Sequence, residues 1–370
     1  MIFFILPVAL YLVIIFLIPI LWRIIGASFK ESDSKIKQLT LIVPFRNESE
    51  NLGDLLKSIE GLKTNIHLKY IFVNDHSEDN GADLVKNWVK EKEGSALLID
   101  LPQGCNGKKA ALNIAMDHVD TEWVWQLDAD TSFNPNVLEL LEYAANSNQK
   151  LILAPVIVKA NKKAYKNQFQ IFENIVLQFI TSLFAQINSA FLANGANLFY
   201  TKSVFKDYQK QNVGANFASG DDLFLLFFIK NTFGNAAITY LNHPQSIVYT
   251  NVIQDKKSFW NQKIRWSAKM NTNYLKVPLL VIFFILLLFC IPILFIIALF
   301  FIPLKIVLGF LFLKFLVEIF VFSNILSFFK TLGNIVVFPF FVLLYPFYSL
   351  KVYFTAQNKS FVWKERVYPK

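Results

Sequence analysis

The sequence predicts an α/β domain on a Rossmann-like, mostly parallel sheet, carried between membrane-spanning helices at the two ends of the chain. Three observations predict it. Charge is scarce: 17% of the 370 residues are charged and 54% are hydrophobic, with 39 phenylalanines, against about 25% charged in soluble domains. That deficit is concentrated at the two ends. The middle alternates short apolar runs with helix-like stretches, the pattern of strands buried on both faces and joined by helical crossovers.

Residues 1–22 carry no charge, and Arg23, Lys30 and Lys35 follow. Such a run crosses a hydrocarbon core of about 30 Å. A cleaved leader would instead open on basic residues and have a shorter apolar core; only Gly26-Ala27-Ser28 resembles its cleavage site. The expected organisation is an N-terminal anchor over 1–26 and a polar linker over 27–38. Positive charge prefers the cytosolic side, which places the following domain in the cytosol of a multi-pass protein of the plasma (inner) membrane.

At the other end, 277–304 hold no charge between Lys276 and Lys305, and 306–329 are interrupted only by Lys314 and Glu318. These two lie four apart, on one helix face, where they can pair within a bilayer. A shorter run, 335–350, contains Pro339 and Pro346. Two to three spans are therefore expected over 276–350, then a basic tail over 351–370. Three crossings would put the tail outside, yet Lys351, Lys359, Lys364, Arg366 and Lys370 favour inside. The proline-containing run is expected to fall short of crossing.

The net charge is +9. Nucleic-acid binding is one reading of a basic chain. Basic residues flanking the spans and facing anionic headgroups are the better one, so membrane lipids are expected partners and nucleic acid is not. Cys105 falls in the domain and Cys290 in a span; neither has metal-type spacing, and a reducing compartment fits them.

Within the domain, 39–254, strands are expected at 40–43, 70–73, 96–99, 123–127 and 151–153, and helices at 48–61, 78–93, 108–117 and 135–143. Ligands of such sheets bind beyond the carboxyl ends of the strands. Polar residues collect there: Arg46-Asn47-Glu48 after the first strand, Asn74-Asp75 after the second, Asp128-Ala129-Asp130 after the fourth.

Asp128 and Asp130 are one residue apart at a strand end, so both can approach Mg2+ or Mn2+, hard cations that take carboxylates plus substrate phosphates; the plain alternative is a solvated loop pair. Asp75 can accept hydrogen bonds from a base or ribose, or cap a helix. Residues 104–113 form a glycine-containing turn and a helix beginning near Lys108, an arrangement suited to a phosphate, without the spacing of a Walker loop. In Ser219-Gly220-Asp221-Asp222 the acids can cap the apolar helix that follows or include a general base. Over 255–275 an amphipathic, interfacial helix carries Gln262-Lys263-Ile264-Arg265-Trp266, with Arg265 able to hold a diphosphate and Trp266 an apolar face for a sugar ring.

The ordered set Val43-Pro44-Phe45-Arg46-Asn47-Glu48, Asn74-Asp75, Gly107-Lys108 with Ala111-Leu112-Asn113, Asp128-Ala129-Asp130, Asn194-Gly195-Ala196-Asn197, Gly220-Asp221-Asp222 and Gln262 to Trp266 resembles the membrane-bound family 2 glycosyltransferases, polysaccharide-synthase-like and ceramide-glucosyltransferase-like. The resemblance covers roughly 39–266. It implies a GT-A fold, an inverting transfer from a nucleotide-sugar, UDP-linked, to a lipid or glycan acceptor, and Mg2+ or Mn2+ on Asp128 and Asp130. It implies Asp222 as catalytic base and Arg265 on the leaving diphosphate. Pro44, Arg46, Glu48, Asp75, Lys108 and Asp128 would bind the donor; Asn197, Asp221 and Trp266 would meet the acceptor. Asp221 stands where glutamate is frequent, and Lys263 where glutamine or arginine is usual. The tail Val362-Trp363-Lys364-Glu365-Arg366 resembles a tryptophan-lysine-glycine-arginine element, with Glu365 in place of glycine.

Two rivals follow. A processive polysaccharide synthase would extrude its product and needs enough spans to enclose a channel. A non-catalytic membrane scaffold would need no acids clustered at three strand ends. A nucleotidyltransferase on the same sheet would release diphosphate instead of a nucleoside diphosphate.

Overall fold

The computed structural model describes residues 2–26, 36–141, 148–160, 164–214, 220–270, 277–330, 335–357, 361–363 and 366–368. Most of the expected linker, 27–35, lies outside them. The chain opens with α1 (Ile2–Gly26), then builds the domain as β1 (Gln38–Phe45), α2 (Ser49–Glu60), β2 (His67–Asn74), α3 (Gly81–Lys90), β3 (Ala96–Asp100), α4 (Gly107–Asp117) and β4 (Trp123–Leu127). Short strands β5 (Thr131–Phe133), β6 (Leu151–Leu153) and β7 (Val156–Lys159) precede the long helix α5 (Tyr165–Gln186). Then come β8 (Asn197–Thr201), α6 (Lys202–Lys210), α7 (Asp221–Phe233), β9 (Ile238–Tyr240) and β10 (Val248–Asn251).

The main sheet runs β3-β2-β1-β4-β8-β6-β9. The β1–β2, β1–β4 and β2–β3 pairs are parallel, as the continuous apolar runs predict; β8 pairs antiparallel with both β4 and β6. A second sheet sets β10 between β5 and β7. Strand β1 is buried on both faces. Leu39, Leu41 and Val43 pack with Leu52 and Leu55 of α2 and Trp88 of α3, while Ile42 packs with Ala111 and Leu112 of α4. Truncating one such core side chain to alanine costs about 2–5 kcal/mol. The β1–β2 register sets Phe45 opposite Asn74, so the next residues, Arg46 and Asp75, emerge together at the carboxyl edge.

The expected helix over 135–143 departs from prediction in its first six residues. Over 135–140 the chain turns without α-helix, because Val137, Glu139 and Leu141 donate to carbonyls only three residues back, the tighter geometry of short 3₁₀ turns. Residues 142–147 lie outside the described set.

After the domain come α8 (Lys256–Met270), α9 (Leu279–Phe301), α10 (Leu304–Phe328), α11 (Phe338–Gln357) and a hairpin of β11 (Phe361–Trp363) and β12 (Arg366–Tyr368). Among the described residues, α1, α9 and α10 are long and apolar enough to cross a membrane. They pack on one another, Phe4 meeting Phe295 and Phe310 edge-on. Lys314 and Glu318 do pair, at 2.6 Å with both side chains buried, and Tyr11 of α1 donates to the same carboxylate at 2.5 Å. Helix α11, the proline-containing run, is not among the candidate spans. Helix α5 joins domain to membrane bundle: Phe172 packs on Phe322 of α10 and Phe338 of α11, and Ser182 accepts from Trp22 Nε1 at 2.8 Å.

Candidate active site

A cavity of about 700 Å³ opens at the carboxyl edge of the parallel strands. Pro44, Arg46, Glu48, Asp75, Lys108 and Asp128 line its domain-ward wall. Asp130, Asp221, Asp222, Arg265 and Trp266 complete the ring. Residues from three strand ends, two helix starts and helix α8 therefore meet around one space.

The loops after β1 and β2 are strapped together. Arg46 Nη1 donates to the Asp75 and His76 carbonyls at 3.0 and 2.7 Å, and Nη2 reaches Glu78 at 3.3 Å. Arg46 is 8% exposed; its terminal nitrogens hold the Asp75 loop. Asp75 is buried, and its Oδ2 accepts the Gly107 N–H at 3.0 Å. Asp75 thus caps a helix, but it is α4, which starts 32 residues later. The first amide of α4, suited by sequence to a phosphate, is given to Asp75. Arg366 of β12 donates to both Asp75 oxygens, at 2.9 and 2.8 Å. The tail is therefore on the domain side of the spans. Lys364 and Glu365 lie outside the described residues.

Deeper in the cavity the Lys108 ammonium contacts the Asp128 carboxylate and donates to the Gly195 carbonyl at 3.2 Å. Burial pushes Lys108 down, but Asp128, Asp222 and Asp221 outweigh it and hold the ammonium above its ordinary value. Arg265 is likewise lowered by burial and opposed by Asp128, Asp222, Asp221 and Asp130. Those opposing charges place Arg265 among acids 43 to 137 residues away in sequence. Asp130 accepts from Thr250 Oγ1 at 2.9 Å, which ties the acid loop to β10.

Asp221 and Asp222 begin α7 after Gly220, whose φ of 109° makes the turn that side-chain-bearing residues avoid. Two acids in the first turn suit the positive end of the helix. Asp222 is oriented by two amides: Gly195 N–H to Oδ2 at 3.1 Å and Leu223 N–H to Oδ1 at 2.9 Å. Asp221 is the more buried of the two. Its charge acts on Tyr200 and Tyr208, whose hydroxyls are pushed up by burial first and by Asp221 second. Ser219 lies outside the described residues.

Gly195 is the close-approach point. A Cβ there would sit 2.7 Å from Gln126 Nε2, 3.1 Å from Lys108 Nζ and 3.5 Å from Asp222 Cβ. Asn197 corrects the sequence reading. It is 1% exposed and does not line the cavity. Its Oδ1 accepts from Trp125 Nε1 at 2.9 Å, and its Nδ2 donates to the Pro155 and Ser246 carbonyls, each at 3.0 Å. Both ends of the amide are consumed in joining β4, β8 and the second sheet, so Asn197 is a structural residue and not an acceptor contact.

The membrane-ward wall holds one residue the sequence did not single out, Glu173 of α5. It pairs with Lys263 of α8; both are buried, and both line the cavity. A lone acid inside the long helix 165–186 gives no local signal of a partner 90 residues on. Burial pushes the Lys263 ammonium down, and Glu173 opposes that shift.

A divalent cation can be tested against these donors. Among the described residues no group of three or more His, Cys, Asp or Glu could hold a metal. Asp128 and Asp130 offer two cavity-lining carboxylates on one loop. Two carboxylates completed by phosphate oxygens and water are the usual Mg2+ or Mn2+ arrangement. The residues thus fit a cation that arrives with a diphosphate.

A parallel-dominated sheet, an Asp-x-Asp pair at a strand end and a cavity closed by a helix carrying Arg265 and Trp266 define a GT-A glycosyltransferase domain. The same domain is recovered by comparison: the model of Glycosyl transferase family 2 matches residues 40–208, and the chain carries a domain of that family. A dolichyl-phosphate beta-glucosyltransferase of Trichomonas vaginalis is 30% identical over 147 residues, 37% of this chain and 45% of that protein. A poly-beta-1,6-N-acetyl-D-glucosamine synthase of Staphylococcus epidermidis is 23% identical over 247 residues, 64% of this chain and 56% of that one. The chain thus spans about half the length of these relatives. A mannosyltransferase of Pyrobaculum calidifontis, solved with GDP-Man and Mn2+, shares the fold with a TM-score of 0.52 at 15% identity, covering 92% of this chain and 98% of that one.

Proposed function

We propose that this protein is an inverting glycosyltransferase that moves a sugar from a nucleotide-sugar, UDP-linked, to a lipid or glycan acceptor at the cytosolic face of the membrane. The observation that carries the reading is the convergence on Arg265. Its guanidinium, half-buried at the cavity, lies in the field of Asp128, Asp222, Asp221 and Asp130. A cationic group beside one oriented carboxylate and an acid pair is what displacement of a diphosphate needs.

Asp222, held by the Gly195 and Leu223 amides, takes the proton of an acceptor hydroxyl. That oxygen attacks the anomeric carbon from the face opposite the donor's bond to phosphate, and the bonding pair leaves on the nucleoside diphosphate. Arg265 and Lys108 hold the departing charge. Mg2+ or Mn2+ on Asp128 and Asp130, when bound, supplies further neutralisation of the diphosphate. Asp75, Arg46, Glu48 and Pro44 shape the nucleotide end. Trp266, 38% exposed at the cavity, offers its ring to the acceptor sugar or headgroup.

Single addition to a lipid-linked acceptor is the reading supported by the Trichomonas relative and by the proximity of α5, α8 and α11 to the cavity and the candidate spans. A processive polysaccharide synthase is the second reading, supported by the longer match to the staphylococcal synthase; product length on a gel separates them. Asp222→Asn tests the mechanism: nucleotide-sugar binding should persist by calorimetry while transfer disappears. Turnover equal to wild type would remove Asp222 from the role.

A further inference from the structure

Buried ion pairs are poor stabilisers. Desolvating both charges offsets most of their attraction, and well-packed apolar residues do as well. One such pair stands in the wall of the cavity itself: Glu173 and Lys263 are 6% and 5% exposed. Glu173 sits on α5, whose neighbouring Phe172 is wedged against Phe322, Phe338 and Phe341 of the helices beyond the domain. Lys263 sits on α8, one turn before Trp266. Its ammonium contacts Glu173 on one side and lies 4.2 Å from the centre of the Trp266 ring. The Phe259 ring lies on the same ammonium at 5.0 Å. From α11, Tyr345 and Tyr348 are near enough for the Glu173 charge to act on their hydroxyls.

A cation held under one face of an aromatic ring fixes the ring's position and leaves its other face to a ligand. Attraction of this kind is strengthened when the cation is desolvated, as it is here. Trp266 is the only member of this chain of contacts with a large exposed surface, and it lines the cavity.

We propose that Glu173 and Lys263 are positioning residues for the acceptor: Glu173 holds the Lys263 ammonium beneath Trp266, so that α5, which is fixed to the membrane bundle, sets the place of the acceptor platform. The inference rests on the acceptor role given to Trp266 above, and it adds the device that places it. Neither Glu173 nor Lys263 touches the reacting atoms. Their action passes through the indole ring.

The test uses the full chain in detergent, labelled with 5-fluorotryptophan, with the Trp266 fluorine resonance assigned through Trp266→Phe. Lys263→Met and Glu173→Gln should both move that resonance, and Lys263→Arg, which keeps the cation, should leave it near the wild-type position. Because a single variant leaves one buried charge unpaired, the double variant Glu173→Met/Lys263→Met is included. It removes both charges at similar volume and should fold, yet still show the displaced signal. In membranes from cells making each variant, labelled sugar incorporation from the donor should fall about tenfold or more in the Met variants, while UDP affinity measured by calorimetry stays at the wild-type value.

A Trp266 signal unmoved in Lys263→Met and in the double variant overturns the proposal, as does loss of UDP affinity in parallel with incorporation. A wild-type protein that shows no donor turnover overturns the transferase reading alone. The fluorine signal still decides whether the pair places Trp266.

Discussion

Arg366 and Asp75, 291 residues apart, form a two-pronged ion pair at 2.9 and 2.8 Å that brings the end of the chain onto the loop after β2. Asp75 is buried, and its other donor is the Gly107 amide. Removing Arg366 leaves a buried carboxylate short of half its partners, at a cost of about 1–3 kcal/mol. Arg366→Ala should therefore weaken UDP binding about tenfold or more by calorimetry while the far-ultraviolet spectrum stays unchanged. Undiminished affinity would show that the tail hairpin is no part of the donor site.

Gly195→Ala makes a second prediction. Gln126 is pinned, donating to the Gly195 carbonyl at 2.9 Å and accepting from Tyr200 Oη at 3.2 Å. The added methyl therefore displaces Lys108, the softer neighbour. Stability should fall by about 1–3 kcal/mol, and turnover should fall more steeply than that loss explains, because Lys108 leaves Asp128. A variant with wild-type kcat would contradict the close packing around Lys108.

Asn197→Ala should behave as a core lesion. Trp125 Nε1 and the Pro155 and Ser246 carbonyls lose their partner, for about 2–5 kcal/mol of destabilisation. The Tm should drop by several degrees, and the folded fraction should keep its acceptor KM. A raised acceptor KM with unchanged Tm would restore the acceptor role expected from the sequence.

Lys108 has a pH signature. Its folded-state value is raised above the ordinary 10.5 because Asp128, Asp222 and Asp221 outweigh burial. A group raised on folding contributes stability in full below its unfolded value and loses it as pH rises through the folded one. The difference in Tm between wild type and Lys108→Met should therefore stay constant through the neutral range and shrink only above about pH 10.5. A difference that vanished near pH 8 would mean that burial, not the carboxylates, governs Lys108.

Much of this arrangement was legible in the sequence for a physical reason. Parallel strands buried on both faces must be continuously apolar, so β1, β4 and the buried second half of β2 declare themselves, while the edge strand β3 shows as an apolar run although it is only half-buried; ligands gather where such strands end. The Lys314–Glu318 pair follows from helical spacing alone. What stayed hidden depends on partners far along the chain. Strand β8 is defined by antiparallel pairing with β4 and β6, which no local pattern encodes. The resemblance of Asn194-Gly195-Ala196-Asn197 assigns Asn197 to the acceptor; the first three of these line the cavity, but the partners of Asn197 come from three distant segments. Glu173 is one acid in an apolar helix until Lys263 is folded against it.

The central claim is that Asp222 and the Asp128–Asp130 pair serve one transfer reaction. Its most direct test is nucleoside diphosphate release by the detergent-solubilised protein, supplied with Mn2+, a panel of nucleotide-sugars and lipid extract, beside Asp222→Asn and Asp130→Ala. Release from one donor, absent in Asp222→Asn despite retained donor binding and absent in Asp130→Ala, is the predicted result. Release that persists in both variants would contradict the account.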